Sequence, residues 1–434
     1  MKKLLLLIST ATFMFGCSSD DTEPTQPGGP TDPTDIVLLP CANGANLILV
    51  SQDDVDFFGA KEWCSVHEVK IGDPNEPSDI TDLTPLANLL NVVSNVTITN
   101  NPQLTSLEGL HNIINAGGTI TITNNASLTS LEGLRSLKTI KGNITVTNNP
   151  ALTTTAGLRT IENANEYDIE IGTNNSLTTL GLTGLKTAKN INIHDNPQLQ
   201  SLAGLENCTS LPYINIQNND KLVNLNGLQG CTTIGSIIIN NNDDFESLEG
   251  LNAITGIDEI HITESPALIS IAKLENLTHL KAFSISGTTS FNSLASLHNM
   301  AEIRHISIAD NEVLTSLEGL NNITDIYGLS IRQNASLTSI SALSNLKTVK
   351  VKSFTETYIA GLMISNNPQL TTLDGLQNVT EFVGVLNITY NASLSDFCAI
   401  QYIIEHGSYE DFFSGIHYNL YEPDFTVPGG CSMN

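Results

Sequence analysis

Apolar and polar positions alternate in a unit of about 23 residues that recurs along most of the chain. In the first copy, Val96 and Ile98 flank a polar residue, Asn101 follows three residues after Ile98, and Leu104 lies three residues further on. An apolar-x-apolar pair predicts a short β-strand whose alternate side chains point inward and outward. A fixed repeat of this length predicts a solenoid, because no single coil can bury its apolar edge alone.

The register can be followed by a polar anchor, the residue three positions after the apolar pair. Thirteen coils have one, at spacings of 22 to 25 residues apart from a single spacing of 33. We expect the anchor to turn the chain, because a short amide bonds the local backbone and tolerates the left-handed region. Strands stacked at roughly 4.8 Å then form a rod of about 60 Å. The anchors are Asn101, Asn125, Asn149, Asn174, Asn196, Asn219, Asn242, Ser265, Thr288, Asn311, Asn334, Asn367 and Asn391.

The residues after each anchor resemble the leucine-rich repeat of receptor L domains. Two residues separate the anchor from the next leucine, as in Asn125-Ala126-Ser127-Leu128, whereas the usual leucine-rich repeat has one. The resemblance covers residues 95–394. It implies a β-rich solenoid, a right-handed, parallel β-helix-like leucine-rich repeat of the L-domain type with a cap at each end. The chain also resembles surface lipoproteins that are common in Bacteroidota, which implies recognition of a ligand, but no ligand-contact motif carries over.

Changes in the pattern divide the chain into five segments. They are a lipoprotein signal peptide (1–16), a disordered tether rich in Thr, Pro, Gly and Asp (17–36), an N-terminal cap (37–94), the solenoid (95–394) and a C-terminal cap (395–434).

The N-terminus predicts export and lipidation. Two lysines precede a 12-residue apolar run, which is typical of a secretory signal and too short for a membrane span. Cys17 after Gly16 resembles the cleavage site of bacterial lipoproteins, where the cysteine becomes the acylated first residue. Met14 and Phe15 depart from that site's usual residues, so an ordinary signal peptide with an incidental cysteine stays the alternative.

The segment after Cys17 predicts display outside the cell. Its composition cannot bury a core, which favours an extended tether. The acidic pair Asp20-Asp21 resembles the surface-export signal of Bacteroidota lipoproteins. We therefore expect an outer membrane lipoprotein that faces the cell exterior, with a periplasm-facing position as the alternative.

The charge of the chain excludes some classes of partner. The formal net charge is −27, from 18 basic and 45 acidic residues. Cleavage of the signal would also remove Lys2 and Lys3, which makes the net charge of the mature chain more negative, −27 − 2 = −29. Nucleic acids and anionic membrane surfaces are therefore poor partners. Two interpretations of the acidity stay open, which are solubility of an exported rod and attraction of a cationic ligand.

Cysteines are placed to staple the two caps. Six remain besides Cys17, and an exported protein meets an oxidising compartment. Six cysteines allow fifteen pairings, but their location favours Cys41–Cys64 in the N-terminal cap and Cys398–Cys431 in the C-terminal cap.

Cys208 and Cys231 occupy the same core position in consecutive coils. Stacking brings their α-carbons within the disulfide range, but the two side chains point the same way. A disulfide and two buried thiols are both open.

One coil, between Asn334 and Asn367, is longer than the others by about ten residues. Insertions in solenoids emerge as loops on one face, which is often the binding face. Basic and aromatic residues are scarce elsewhere, so we take this segment as a candidate contact loop, with a tolerated surface loop as the alternative. Its residues are Lys347, Lys350, Lys352, Phe354 and Tyr358.

No motif for catalysis, a metal or a cofactor appears in the sequence. A polysaccharide-active β-solenoid enzyme is the first alternative, and it needs carboxylates clustered on neighbouring coils. The outward residue between the two apolar positions of each coil is acidic only once. These residues are Thr97, Thr121, Thr145, Glu170, Asn192, Asn215, Ile238, His261, Ser284, Ser307, Ser330, Met363 and Asn387.

A surface that binds ice or a flat crystal is the second alternative, because Thr97, Thr121 and Thr145 form a short threonine ladder. The ladder ends at Glu170, and cross-strand threonine pairing explains it. The sequence therefore favours a lipid-anchored, non-catalytic recognition or adhesion protein that binds an extracellular protein or glycan.

Overall fold

The computed structural model describes residues 44–61, 63–350, 361–409 and 415–433, which all belong to the compact unit Leu39–Asn434. Its strands are β1 (Asn46–Leu49), β2 (Ser65–Val66), β3 (Glu68–Ile71), β4 (Asn91–Val92), β5 (Val96–Thr99), β6 (Asn115–Ala116), β7 (Ile120–Thr123), β8 (Thr139–Ile140), β9 (Ile144–Thr147), β10 (Asn163–Gly172), β11 (Thr187–His194), β12 (Ser210–Gln217), β13 (Thr233–Asn240), β14 (Gly256–Thr263), β15 (His279–Thr288), β16 (Glu302–Asn311), β17 (Asp325–Ile326), β18 (Gly328–Arg332), β19 (Thr348–Lys350), β20 (Gly361–Ser365), β21 (Glu381–Thr389), β22 (Ser408–Tyr409) and β23 (Gly415–His417). The helices are α1 (Gln52–Gly59) and α2 (Gln401–His406), and short 3₁₀ turns cover Thr84–Leu86, Glu132–Leu134, Ala156–Leu158, Ala295–Leu297, Ser341–Leu343 and Cys398–Ile400.

The main sheet is parallel and contains one strand from each coil. Its order is β1, β3, β5, β7, β9, then β10 to β16, then β18, β20, β21 and β23. Lateral strands form a second parallel ladder, β2-β4-β6-β8 near the N-terminus and β17-β19-β21-β22 near the C-terminus. The predicted parallel β-solenoid is confirmed.

The prediction of thirteen coils is too low, because the described chain makes about fifteen turns. Strands β1 and β3 in the N-terminal segment and β23 in the C-terminal segment continue the main sheet. The repeat pattern misses them because Pro74 stands where an anchor would follow β3, and Ser414 replaces the first apolar residue before Ile416.

The core lies between the main sheet and the leucines that follow each anchor. In β12, Ile214 and Ile216 are fully buried while Asn215 between them is half-buried, and Leu222 on the return edge is also buried. At the corner, Gly250 has a φ of +114°, and a Cβ there would lie 2.1 Å from the carbonyl oxygen of Leu225. Only glycine fits that corner.

The asparagine anchors form a buried hydrogen-bonded ladder along the solenoid. The Asn196 Nδ2 donates to the carbonyl of Ile171 in the preceding coil (3.0 Å) and of His194 in its own coil (2.9 Å). The Asn196 N–H donates to the Asn219 Oδ1 of the next coil (3.1 Å). The same bonds recur in other coils, and Asn419, absent from the sequence-derived set, continues them beyond Asn391.

The prediction that the anchor itself adopts the left-handed region is wrong by one residue. The residue before the anchor has positive φ, such as Asn100 (55°) and Asn218 (55°). The anchor amide donates to backbone carbonyls of two coils, for example the Asn101 Nδ2 to Ile71 and Thr99. The left-handed conformation is therefore adopted by the more exposed residue before the anchor.

The Cys398–Cys431 disulfide is present, with α-carbons 4.9 Å apart, and the predicted staple of the C-terminal cap is confirmed. Cys64 is also disulfide-bonded, while Cys41 lies outside the described residues. Cys208 and Cys231 are free, buried thiols and do not form a disulfide with each other. Burial raises the pKa of Cys208 to about 12 and of Cys231 to about 11.

No helix in the described ranges is long and apolar enough to cross a membrane.

Candidate binding surface

The outward face of the main sheet consists of three rows of side chains. The middle row is the one predicted from the sequence, and one further row lies on each side of it. In β12 these side chains belong to Tyr213, Asn215 and Gln217, which alternate with the buried Ile214 and Ile216. Parallel pairing in register continues each row from coil to coil. The chemistry of the rows differs between two stretches of the solenoid.

The first stretch, on β10 to β14, is rich in amides and carboxylates, and we call it the amide–carboxylate face. It comprises Asp168, Glu170, Gly172, Asn190, Asn192, His194, Tyr213, Asn215, Gln217, Ser236, Ile238, Asn240, Glu259, His261 and Thr263. Part of it, together with Asn143 and Thr145 of the preceding coil, lines an open groove of about 480 Å³.

Polar groups on this face bond one another between coils. The Asn215 Nδ2 donates to the Asn192 Oδ1 (2.8 Å), and the Asn190 Nδ2 donates to the Asp168 Oδ1 (2.7 Å). These bonds hold the side chains in fixed positions, so the groove presents an ordered array of acceptors and donors.

His194 of this face lies between two carboxylates. Its Nε2 is 3.2 Å from Glu170 and its Nδ1 is 2.8 Å from Asp195. Burial opposes ionisation of Asp195, but hydrogen bonds with His194 and Asn218 outweigh it and lower the pKa of Asp195 below its usual value. The sequence-derived row contained Glu170 alone, and the neighbouring row adds Asp168 as a second carboxylate on the same strand.

The second stretch, on β15, β16, β18 and β20, has mostly small side chains, and we call it the small-residue face. Its residues are Ala282, Ser284, Ser286, His305, Ser307, Ala309, Gly328, Ser330, Arg332, Gly361, Met363 and Ser365. None of these twelve positions is acidic, although the chain has 45 acidic residues.

The described part of the predicted contact loop borders a third feature, a lateral groove of about 510 Å³. Lys350 lines this groove and forms an ion pair with Glu381. Lys347 is exposed, and its carbonyl accepts the N–H of Glu381 (3.2 Å). Lys352, Phe354 and Tyr358 lie outside the described residues.

Two residues of the lateral groove were missed from the sequence. Arg304 lies over the ring of Tyr327 (5.6 Å to the centroid), and both line the groove. They come from adjacent coils, since the Tyr327 N–H donates to the Arg304 carbonyl (2.7 Å). An alignment of equivalent positions in consecutive coils would have placed them together.

Within the described ranges, no group of three or more His, Cys, Asp or Glu side chains is placed to hold a metal ion.

Comparison with known proteins agrees with the repeat. The model of the Receptor L domain family matches residues 299–408. No curated protein matches the chain. An internalin from Listeria monocytogenes, known from its crystal structure, is similar with 15% sequence identity over 84% of this chain and 89% of that one, at a TM-score of 0.39. The chain is thus a parallel β-solenoid that is similar to receptor L domains over residues 299–408.

Proposed function

We propose that the protein is a non-catalytic recognition protein of the cell surface, which binds an extracellular protein or glycan on the outward face of its solenoid. The observation that carries this proposal is the contrast between the rows of the main sheet. Inward rows repeat the same Ile, Val and Leu residues, whereas outward rows change from an amide–carboxylate to a small-residue chemistry. A bare spacer has no need of such a change.

The architecture supports a binding role. Solenoids present extended surfaces whose shape is fixed by stacking, and receptor L domains share this repeat. Bonds such as Asn215 to Asn192 hold outward side chains in place before a ligand arrives. Fixed side chains lower the entropy cost of association.

Attachment through Cys17 would place this surface outside the cell, at the end of the tether that the sequence predicts for residues 17–36. The Cys17→Ala variant should leave the membrane fraction and appear in the soluble fraction. Protease treatment of intact cells should degrade the wild-type chain if it faces outward and spare it if it faces the periplasm. Continued membrane association of Cys17→Ala would contradict the lipid anchor.

Binding is tested by applying the mature chain to a glycan array and to a pull-down of extracellular proteins. The same chain lacking residues 350–358 is the matched variant, because those residues form the predicted contact loop. We expect specific retention of a partner by the full chain, and weaker retention by the deletion would add the loop to the contact surface. Undiminished binding would exclude the loop as a contact site and leave the outward face.

The alternative of a polysaccharide-active enzyme depends on Asp168 and Glu170, which share one face of β10. Release of reducing sugar from any polysaccharide, lost in Glu170→Gln, would favour the enzyme. We expect no release, because both carboxylates are engaged by neighbouring side chains.

A further inference from the structure

The open groove on the amide–carboxylate face crosses four neighbouring coils. The middle outward row contributes one side chain from each of β9 to β12, which are Thr145, Glu170, Asn192 and Asn215. All four are half-buried, and the groove above them has a volume of about 480 Å³. Four strands at about 4.8 Å span about 14 Å. A ligand from solvent can therefore reach a straight row of polar side chains that follows the solenoid axis.

The pairing of β10 departs from the regular register beside this groove. The four residue steps from Ala164 to Asp168 pair with the two steps from Ala188 to Asn190 in β11, whereas β11 and β12 pair without a shift. Bulges redirect side chains and are over-represented beside functional sites. The shift ends at Asp168, which lines the groove. The regular repeat is therefore broken where the groove lies.

The amides of the groove match the hydroxyl groups of a sugar. A side-chain amide donates through two N–H groups and accepts through its oxygen, and a sugar hydroxyl also donates and accepts. Asn192 and Asn215 are paired in register and bonded to each other (2.8 Å), so their amides are held in place. A single sugar gains little, because its hydroxyls exchange bonds with water or with amides that already have partners. Several sugar units bound along the row are needed for a useful affinity.

The charges of the groove favour a neutral ligand. Among the described residues that line it, none is Lys or Arg, while Asp168 and Glu170 repel an anion. Both carboxylates already have partners, which weakens the attraction for a cation. Asp168 accepts from the Asn190 Nδ2 (2.7 Å) and lies 3.6 Å from the Lys189 Nζ, and Glu170 lies 3.2 Å from the His194 Nε2.

We propose that this groove binds a neutral, extended glycan along the solenoid axis, with its hydroxyls on the amides and a sugar ring against Tyr213. Tyr213 is half-buried, lies in register between Asn190 and Ser236, and offers both apolar ring surface and a hydroxyl. It is the one aromatic side chain among the described lining residues. Protein partners gain most of their affinity from clusters of aromatic or large apolar anchors. This inference rests on the proposed recognition function and names the class of ligand for one groove.

The test is calorimetric titration of the mature chain with β-1,4-linked oligosaccharides of glucose, mannose and xylose, each as a disaccharide and a hexasaccharide. We expect at least one hexasaccharide to bind. Its disaccharide should bind at least about tenfold more weakly, because each contact contributes little and the contacts add up along the row. Oligogalacturonate and oligo-lysine, as the anionic and cationic comparisons, should not bind.

Variants of the lining locate the binding in the groove. Tyr213→Ala should weaken binding of the hexasaccharide about tenfold, because the ring surface is lost, and Tyr213→Phe should retain most of the affinity. Asn192→Ala should weaken it about fivefold. The matched control is Asn387→Ala, which removes an amide from the same row on β21 and should leave binding unchanged. Circular dichroism should show that all variants are folded.

Four results would overturn the proposal. They are no binding of any hexasaccharide, equal binding of the disaccharide and the hexasaccharide, unchanged binding by both Tyr213→Ala and Asn192→Ala, and binding of oligo-lysine that is lost in Asp168→Asn. The last result would replace the glycan by a cationic ligand. The proposed recognition function is judged separately by the array and pull-down, where a partner retained equally by Asn192→Ala would preserve recognition and remove only this site.

Discussion

The amide–carboxylate face and the small-residue face cover the same kind of apolar core, but their outward side chains differ in chemistry. In β12 the inward residues are Ile214 and Ile216, and in β18 they are Leu329 and Ile331, all fully buried. On the outside, the first face bonds its polar groups to one another, whereas the second leaves the Ser330 Oγ and Arg332 Nε without partners. The apolar core fixes the positions of the outward side chains, but it does not restrict which residue types occupy those positions.

This difference has an energetic consequence. A ligand on the amide–carboxylate face replaces hydrogen bonds that the protein already makes, so the net gain per bond is small. On the small-residue face, the Ser330 Oγ and the Arg332 Nε are instead buried without hydrogen-bond partners, which costs stability in the free chain.

The two faces meet where the asparagine ladder is interrupted. Ser265 and Thr288 replace asparagine in the coils of β14 and β15. The Ser265 Oγ reaches only the Thr263 carbonyl of its own coil (3.2 Å), and Thr288 donates to Asn311 in the next coil (2.5 Å). The ladder resumes at Asn311 and runs beneath the small-residue face.

If the core is equivalent beneath both faces, replacing an anchor should lower the free energy of unfolding by the same amount beneath each face. Asn219→Ala removes the acceptor of the Asn196 N–H and the donor to Ile193, and Asn334→Ala does the same between Asn311 and Ile308. We expect each to lower the free energy of unfolding by about 2–4 kcal/mol, because buried partners are left unsatisfied. Urea denaturation measures it.

The matched control is Asn215→Ala, an outward residue of β12, which should cost less than about 1 kcal/mol. A loss for Asn334→Ala that is less than half of the loss for Asn219→Ala would show that the two interiors are not equivalent.

The fold followed from the sequence because its determinants are local and repeated. The apolar pair, the anchor and the next leucine recur at fixed distances, so thirteen of the coils could be assigned. Outward chemistry was harder, since only the middle row was considered, and Asp168, His194 and Arg332 lie in the rows beside it. The lack of partners for Ser330 and Arg332 depends on side-chain geometry, which a repeat pattern does not contain.

Repairing the ladder where the two faces meet should stabilise the solenoid. Ser265→Asn would supply an Oδ1 for the backbone N–H of Asn242 and an amide for the carbonyl of the preceding coil, as in the other coils. We expect a gain of about 1 kcal/mol in the free energy of unfolding. A loss would show that the packing around Ser265 has adapted to the smaller residue, and Ser286→Asn, on the outward face, controls for a surface effect.

The smallest expected effect concerns pH and Asp195, which contacts His194 of the amide–carboxylate face. The pKa of Asp195 is lowered below its usual value of 3.8, so its contribution to stability is present above that pH and is lost as the pH falls through the lowered value. Asp195→Asn should therefore lower the thermal midpoint slightly at pH 7 and leave it nearly unchanged at pH 2.5. Asp374→Asn, an exposed turn residue, is the control and should shift neither midpoint. Since the side chain of Asp195 is nearly half exposed, solvent screening keeps the shift small. A larger loss at pH 2.5 than at pH 7 would reverse the sign and show that the contacts with His194 and Asn218 matter through packing and not through charge.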